Sequence, residues 1–203
     1  MTILVSPCGD EFKGMGVLKV TYTIIAGVNG VGKSCLTGVL RAERRDLGAV
    51  IDIDKIALHN KCAAVSAGKI ALKKINALIS EAKPFTQETT LSGKRTKRTI
   101  KLAKKKGYVV RLYYIGLNTC DESVKRVKNR VEKGGHNICY EDIERRFKSR
   151  FESLINVLPY CDEAVFYDNE NGFVEVGEYK NGELITKGSD FPEWLEVLQK
   201  GHV

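Results

Sequence analysis

Apolar residues fall along the chain in two alternating kinds of run. Short runs rich in β-branched and aromatic residues cover 21–26, 49–54, 84–90, 108–117 and 163–168, and read as strands. Between them, at 33–45, 62–82, 94–106, 119–133 and 140–157, apolar positions recur every three or four residues, the spacing of a helix with one buried face. Five strands alternating with five helices predict an α/β fold around a mainly parallel sheet. Ile24-Ile25-Ala26 is apolar at successive positions, so the first strand is expected to be buried on both faces.

After Asp168 the pattern changes. Residues 173–179 alternate, Lys180-Asn-Gly follows, and 183–186 alternate again, which reads as a β-hairpin with an Asn-Gly turn. A short helix is expected near 192–199. Residues 1–19 carry Gly9, Gly14 and Gly16 with little periodicity and read as a peripheral N-terminal extension. No repeat or linker-like tract interrupts the rest, so 1–203 is expected to form one domain, with 126–150 as a lid region and 170–203 as a C-terminal hairpin and helix.

Composition narrows the classes. With 203 residues, 43% of them hydrophobic and 29% charged, and with no long apolar run, the chain reads as a soluble globular protein, neither disordered nor membrane-embedded. Thirty-three Lys and Arg against 25 Asp and Glu give 33 − 25 = +8, which favours anionic partners, either phosphorylated small molecules or nucleic acid. The cysteines at 8, 35, 62, 120, 139 and 161 form no C-x-x-C pair and no zinc site. A cytoplasmic location is expected from those thiols and from the absence of a signal-peptide pattern at the N-terminus.

The strongest chemical signal is Gly27-Val-Asn-Gly-Val-Gly-Lys-Ser34, a full G-x-x-x-x-G-K-[ST] match between a buried strand and a helix. Glycines there let backbone N–H groups wrap phosphate oxygens. Lys33, expected on an exposed loop, reaches the β- and γ-phosphates, and the Ser34 hydroxyl suits one Mg²⁺ position. Asp52 and Asp54 end the second strand, where alternation places them on one face at the ligand-binding edge of the sheet. Asp54, nearer the tip, is the better base for an acceptor hydroxyl, and Asp52 suits a Mg²⁺-bound water. Both also read as helix caps. The third strand ends in Glu88-Thr89-Thr90-Leu-Ser-Gly93, followed by Lys94, Arg95, Lys97 and Arg98, a mixture suited to a polar acceptor. Lys101 to Lys106 reads as the solvated face of a helix. Arg126 and Arg130 share a helical face, as do Arg146 and Arg150, and Gly134-Gly135-His136 between the pairs reads as a hinge of a lid over the phosphates. His136 is expected to be a loop or lid residue.

Together these residues resemble the zeta-toxin-like P-loop kinases, often labelled predicted ABC-type ATPases and including toxins that phosphorylate UDP-N-acetylglucosamine. The resemblance covers 22–169 and is carried by Ile25 to Ser34, Ile53-Asp-Lys-Ile-Ala57, Glu88 to Gly93, Lys106-Gly-Tyr108, Arg126 to His136, Glu144-Arg-Arg-Phe147 and Tyr167-Asp-Asn169. It implies a three-layer fold with a five-stranded sheet in the order 2-3-1-4-5 and 21–26 central. It implies ATP and Mg²⁺ as cofactors, with Ser34 on the metal and phosphates held by Gly27, Asn29, Gly30, Val31, Gly32, Lys33, Ser34 and Cys35. Asp54 is then the catalytic base, with Lys33, Arg130 and Arg146 at the transferring phosphate. The acceptor would lie against Asp52, Asp54, Glu88, Thr89, Thr90 and Arg95, and an antitoxin-like helical protein is an implied partner.

Asp54 is followed by Lys-Ile-Ala-Leu-His59-Asn, where the well-known toxins carry a Phe, an Arg and a His-Pro pair, and Ile138-Cys-Tyr140 lacks the proline relatives carry after Gly-Gly-His. The leading expectation is therefore an ATP-dependent phosphotransferase acting on a hydroxyl of a small acceptor such as a UDP-sugar. Two alternatives stay open: a small-metabolite kinase of shikimate or gluconate type, and a nucleotide-dependent switch, although no water-positioning Gln lies near the motif. A specific nucleic-acid ligand is not expected, since charge alone points to one and no base-reading motif accompanies it.

Overall fold

Strand β1 (Thr21–Ala26) is buried along its whole length and sits in the middle of the sheet. The computed structural model describes residues 20–188 and 191–202, so the extension expected over 1–19 lies outside the described residues. Successive β1 side chains enter two separate cores, Tyr22, Ile24 and Ala26 on one face and Ile25 on the other. That is why the sequence there is continuously apolar.

The sheet runs β2-β3-β1-β4-β5-β6-β7, where β2 is Ala49–Asp52, β3 Phe85–Thr89, β4 Val109–Gly116, β5 Glu163–Asp168, β6 Val174–Lys180 and β7 Glu183–Thr186. The first five strands are parallel and follow the expected order 2-3-1-4-5. The sheet has seven strands rather than five, because the C-terminal hairpin pairs antiparallel with β5 instead of standing apart. Asn181 and Gly182, at φ 55° and 90°, supply the two left-handed positions of its tight turn.

Helices cover both faces. Leu36 and Leu40 of α1 (Lys33–Glu43) and Phe147 of α6 (Tyr140–Lys148) pack with Ile25 and Ile115. On the other face lie α3 (Ala64–Ser80), α4 (Arg95–Lys105), α7 (Arg150–Ile155) and α8 (Glu193–His202), contributing Ala71, Ile100, Leu154 and Leu195 among others. The α5 helix (Cys120–Glu132) follows β4. Among the described residues, no helix is long and apolar enough to cross a membrane.

Two expected elements change. The strand expected over 49–54 stops at Asp52, and α2 (Ile53–His59) begins at once, because Asp52 Oδ1 accepts the amides of Asp54 and Lys55 at 2.9 and 3.3 Å. Asp52 and Asp54 therefore do not share a strand face. The helix expected over 140–157 is interrupted at Ser149, beyond which the Arg150 guanidinium donates to the Phe147 carbonyl at 2.8 Å, the acceptor a continuous helix would give to the Phe151 amide.

The C-terminal helix is locked over the strand ends beside the phosphate loop. Trp194 is buried, its Nε1 donates to Asp168 Oδ1 at 2.8 Å, and its ring lies directly over Gly116 at the end of β4. A Cβ at Gly116 would overlap that ring. Gly116→Ala is accordingly expected to lower stability by ~1–3 kcal/mol, the usual cost of overpacking. Gly116→Ala combined with Trp194→Leu should lose less than the sum of the two single variants in urea unfolding, as neighbouring sites do.

Candidate functional site

Residues 27–34 turn from β1 into α1 through Gly27, Gly30 and Gly32 at φ 144°, 74° and 96°. The loop is hemmed in as well as turned. A Cβ on Gly30 would stand 2.8 Å from the Ser123 carbonyl oxygen, and one on Gly32 would stand 2.6 Å from Asn169 Nδ2. Ser123 Oγ donates to the Asn29 carbonyl, Asn169 Nδ2 to the Val31 carbonyl at 2.9 Å, and Arg146 to Asn29 Oδ1 at 3.0 Å. Carbonyls and side chains of the loop are thus held from outside. Among the described residues, the amides from Val28 to Cys35 donate to no group of the chain. A row of free N–H groups at a helix N-terminus, backed by glycines, fits a polyphosphate.

Lys33 is half-buried, not on the open surface as expected, and its ammonium donates to the carbonyls of Gly27 and Val28, both at 2.9 Å. Burial lowers its pKa to about 8, assisted by the Arg130 charge and opposed by Glu88, Asp54 and Asp52.

Those three carboxylates gather at the carboxyl edge of the sheet but do different things. The β2–β3 register sets Asp52 opposite Glu88. Glu88 is 6% exposed and accepts Ser34 Oγ at 2.7 Å and Thr37 Oγ1 at 2.8 Å. Asp52 caps α2, and burial together with the Glu88 charge raises its pKa. Lys55 lies 3.6 Å from Asp52 and 3.9 Å from Glu88. Asp54 sits exposed in the first turn of α2, and its carboxylate makes no hydrogen bond among the described residues. Ser34 with Glu88 beneath it offers the hard oxygen set that Mg²⁺ prefers, a few protein ligands with other positions left to phosphate and water. Among the described residues, no group of three or more His, Cys, Asp or Glu is arranged to hold a metal.

Basic residues gather on α5. Arg126, Asn129, Arg130, Lys133, Gly134 and Gly135 line an open depression of about 450 Å³ at the end of α5. Arg126 pairs with Glu122 at 2.7 Å, and Arg130 donates to the His136 carbonyl at 2.7 Å. The buried Nε atoms of Arg130 and Arg146 have no partner among the described residues. At Gly134 and Gly135, expected as a hinge, the amides cap the α5 carbonyls of Val131 and Arg130, both at 2.9 Å, and a Cβ on Gly135 would stand 2.6 Å from Arg130 Cγ. Arg150 does not share a face with Arg146 toward the site. It begins α7 beyond the break at Ser149 and is stacked between the Phe147 and Phe151 rings.

The remaining expected residues are placed as follows. Thr89 Oγ1 accepts the Leu91 amide at 3.0 Å, Thr90 Oγ1 bonds Ser92 Oγ at 2.8 Å, and the Arg95 guanidinium lies over Gly68 of α3. The first two shape the turn from β3 into α4 and are not brought against Lys33 by any bond. Cys35, His59 and His136 are exposed. The sequence patterns give no role to Thr37, Ser123 and Phe173, and they place Lys55 and Asn169 only within stretches that carry the resemblance. Thr37 follows Ser34 by one helical turn, whereas Ser123 reaches the loop only through the fold, as does Phe173, whose ring a Cβ on Gly32 would meet at 3.2 Å.

No protein-family model matches the chain. An uncharacterized protein of Haemophilus influenzae is 33% identical over 141 residues, 66% of this chain and 98% of that protein. Among solved structures, a chain of the PezAT chromosomal toxin-antitoxin system of Streptococcus pneumoniae superposes with a TM-score of 0.64 at 20% identity, over 91% of this chain and 79% of that one. A chain of the AvrRxo1-ORF1:-ORF2 complex with ATP gives 0.63 at 16% identity, over 90% of this chain and 63% of that one. This chain thus spans less than two thirds of the second.

The Lys33 environment predicts a pH effect. Its folded-state pKa is lowered to about 8, so its positive charge is present below that pH and lost as pH rises through it. Binding a triphosphate favours the charged form, and affinity should fall about tenfold for each pH unit above that point, with proton uptake on binding. Calorimetric titration of ATP at pH 7 and pH 9 in buffers of different ionisation enthalpy measures both effects.

Proposed function

Because the chain belongs to the family of that Haemophilus influenzae protein and has the fold of the zeta-toxin-like P-loop kinases, we propose that it is an ATP-dependent phosphotransferase. The observation that carries this reading is the division of labour among the three carboxylates: Asp52 caps, Glu88 holds Ser34 and Thr37, and Asp54 alone is left free beside Lys33. In this reading the free amides of 28–35 and the Lys33 ammonium hold the β- and γ-phosphates of ATP. Arg130 and Arg146, each with an unpartnered buried Nε, neutralise charge on the transferring group. Mg²⁺, when bound at Ser34 with Glu88 behind it, supplies further charge neutralisation. Asp54 accepts the proton of the acceptor hydroxyl as that oxygen bonds to the γ-phosphorus, and the bond to the β-phosphate oxygen breaks to release ADP.

For the acceptor, the resemblance supports a UDP-sugar such as UDP-N-acetylglucosamine, lying against Asp54, Glu88, Thr90 and Arg95. Likeness to a chain of a toxin-antitoxin system supports a helical antitoxin-like partner as well.

Asp54→Asn tests the base. Asp52, not Asp54, caps α2, so the substitution leaves the cap intact and fold stability nearly unchanged. ATP affinity should stay within a few-fold while transfer falls by ~10²–10⁴, the contribution of a positioned general base. Lys33→Ala should instead weaken ATP binding itself. A folded Asp54→Asn protein that transfers phosphate at the normal rate rejects the assignment.

A further inference from the structure

The positive charge of the chain is concentrated in one segment. Residues 94–106 contain eight Lys and Arg and no Asp or Glu, while the other 190 residues hold 33 − 8 = 25 cations against 25 acids. The net charge of +8 is therefore the charge of α4 and its two flanking residues. On α4 the residues facing the core are Thr96, Thr99, Ile100 and Ala103. Opposite them Lys94, Arg98, Lys101 and Lys105, at steps of four, three and four, form one exposed stripe.

A solvated helix usually mixes signs and pairs Glu with Lys along its face. This one does neither. Among the described residues, only Lys104 of the segment forms an ion pair, with Asp162. Lys94, Arg95, Lys97 and Arg98 also stand at the positive end of the helix dipole, where cations oppose the fold. Lys97 and Lys101 both lie over one ring, Tyr160, at 4.9 and 5.1 Å from its centre, so a single aromatic side chain holds two like charges. Such an arrangement is held against its own repulsion, and a polyanion relieves it. An eleven-residue helix is roughly 16 Å long, so its stripe matches successive charges of an extended strand better than one compact phosphate group.

We propose that the exposed face of α4 binds single-stranded nucleic acid through its phosphates, without reading sequence. The α4 helix packs into the core on the face of the sheet opposite α1, and the proposal does not rest on the phosphotransferase reading. The ring beside the stripe, Tyr160, is already occupied by Lys97 and Lys101, and a cationic face without a free stacking platform contacts backbone, not bases.

The test uses the full chain and a labelled twelve-nucleotide strand of mixed sequence, with fluorescence anisotropy as the readout. Lys94→Glu, Arg98→Glu and Lys105→Glu are combined in one variant, avoiding the residues on Tyr160. A control variant carries Arg41→Glu, Arg45→Glu and Lys180→Glu, exposed residues elsewhere, so that both have the same net charge of 8 − 6 = +2. The α4 variant should bind at least ~10-fold more weakly at 100 mM salt, and its log–log salt slope should fall by about 2, from three lost contacts at ~0.7 each. The control and Lys33→Ala should bind nearly as the natural chain does, and ATP affinity should be unchanged in the α4 variant.

Equal loss in both charge variants would overturn the proposal, as would no binding by the natural chain, or binding of anionic phosphatidylserine vesicles in place of the strand. If the α4 variant fails to melt cooperatively, the same three positions changed to Gln carry the test, with the same outcomes. Failure here leaves the ATP titration and the Asp54→Asn result standing.

Discussion

A buried carboxylate cannot be left alone, and that requirement at Glu88 organises the site. At 6% exposure it must be satisfied by donors, and it takes the hydroxyls of Ser34 and Thr37. The first turn of α1 is thereby fastened to the tip of β3. At the other end of the loop, the Gly27 amide donates to the Thr89 carbonyl of the same strand at 3.3 Å. Both ends of the phosphate loop are tied to one strand end, and the glycines between them need only follow. The same carboxylate faces Asp52 across the β2–β3 register and helps to raise its pKa, while Lys55 bridges the two.

A second set of constraints reaches the loop from far along the chain. Asn169, 138 positions after Val31, donates to its carbonyl, and Ser123 donates to that of Asn29. These residues are placed by the ends of β4 and β5, which Trp194 holds through Asp168 and Asn118. Packing of the C-terminal helix and geometry of the phosphate loop are one mechanical problem, since a disturbance at Gly116 is transmitted to the strand tips that carry Asn118 and Asn169.

What could be read in the sequence follows from how local each signal is. The phosphate loop was legible because eight successive residues encode its turn, and β1 was legible because burial on both faces leaves no polar position. The extent of β2 was not. Alternation in Val50-Ile-Asp-Ile-Asp54 reads equally as strand, and only the capping of the Asp54 and Lys55 amides by Asp52 ends it there. Gly134-Gly135 reads as freedom until the Arg130 stem is seen to occupy the space a side chain at Gly135 would need. Arg150 reads as a partner of Arg146 until its guanidinium is seen to donate to the Phe147 carbonyl where the helix is interrupted. Each of these turns on a single hydrogen bond or contact that periodicity does not record.

Charge is the property in which sequence and structure differ most. A net +8 favours anionic partners but does not say where on the molecule they are met. Around the loop, however, cations and acids are nearly matched, with Lys33, Lys55, Arg126 and Arg146 set against Asp52, Glu88, Glu122 and Asp142. The matching is what keeps Lys33 charged near neutral pH despite its burial, since the carboxylates oppose the loss of its proton. The excess lies along α4, on the open surface. Charges there are screened beyond a Debye length of about 10 Å at 0.1 M salt, whereas those packed within the site are screened much less. The two regions therefore answer to different physics: local geometry and proton occupancy govern the loop, and ionic strength governs the helix.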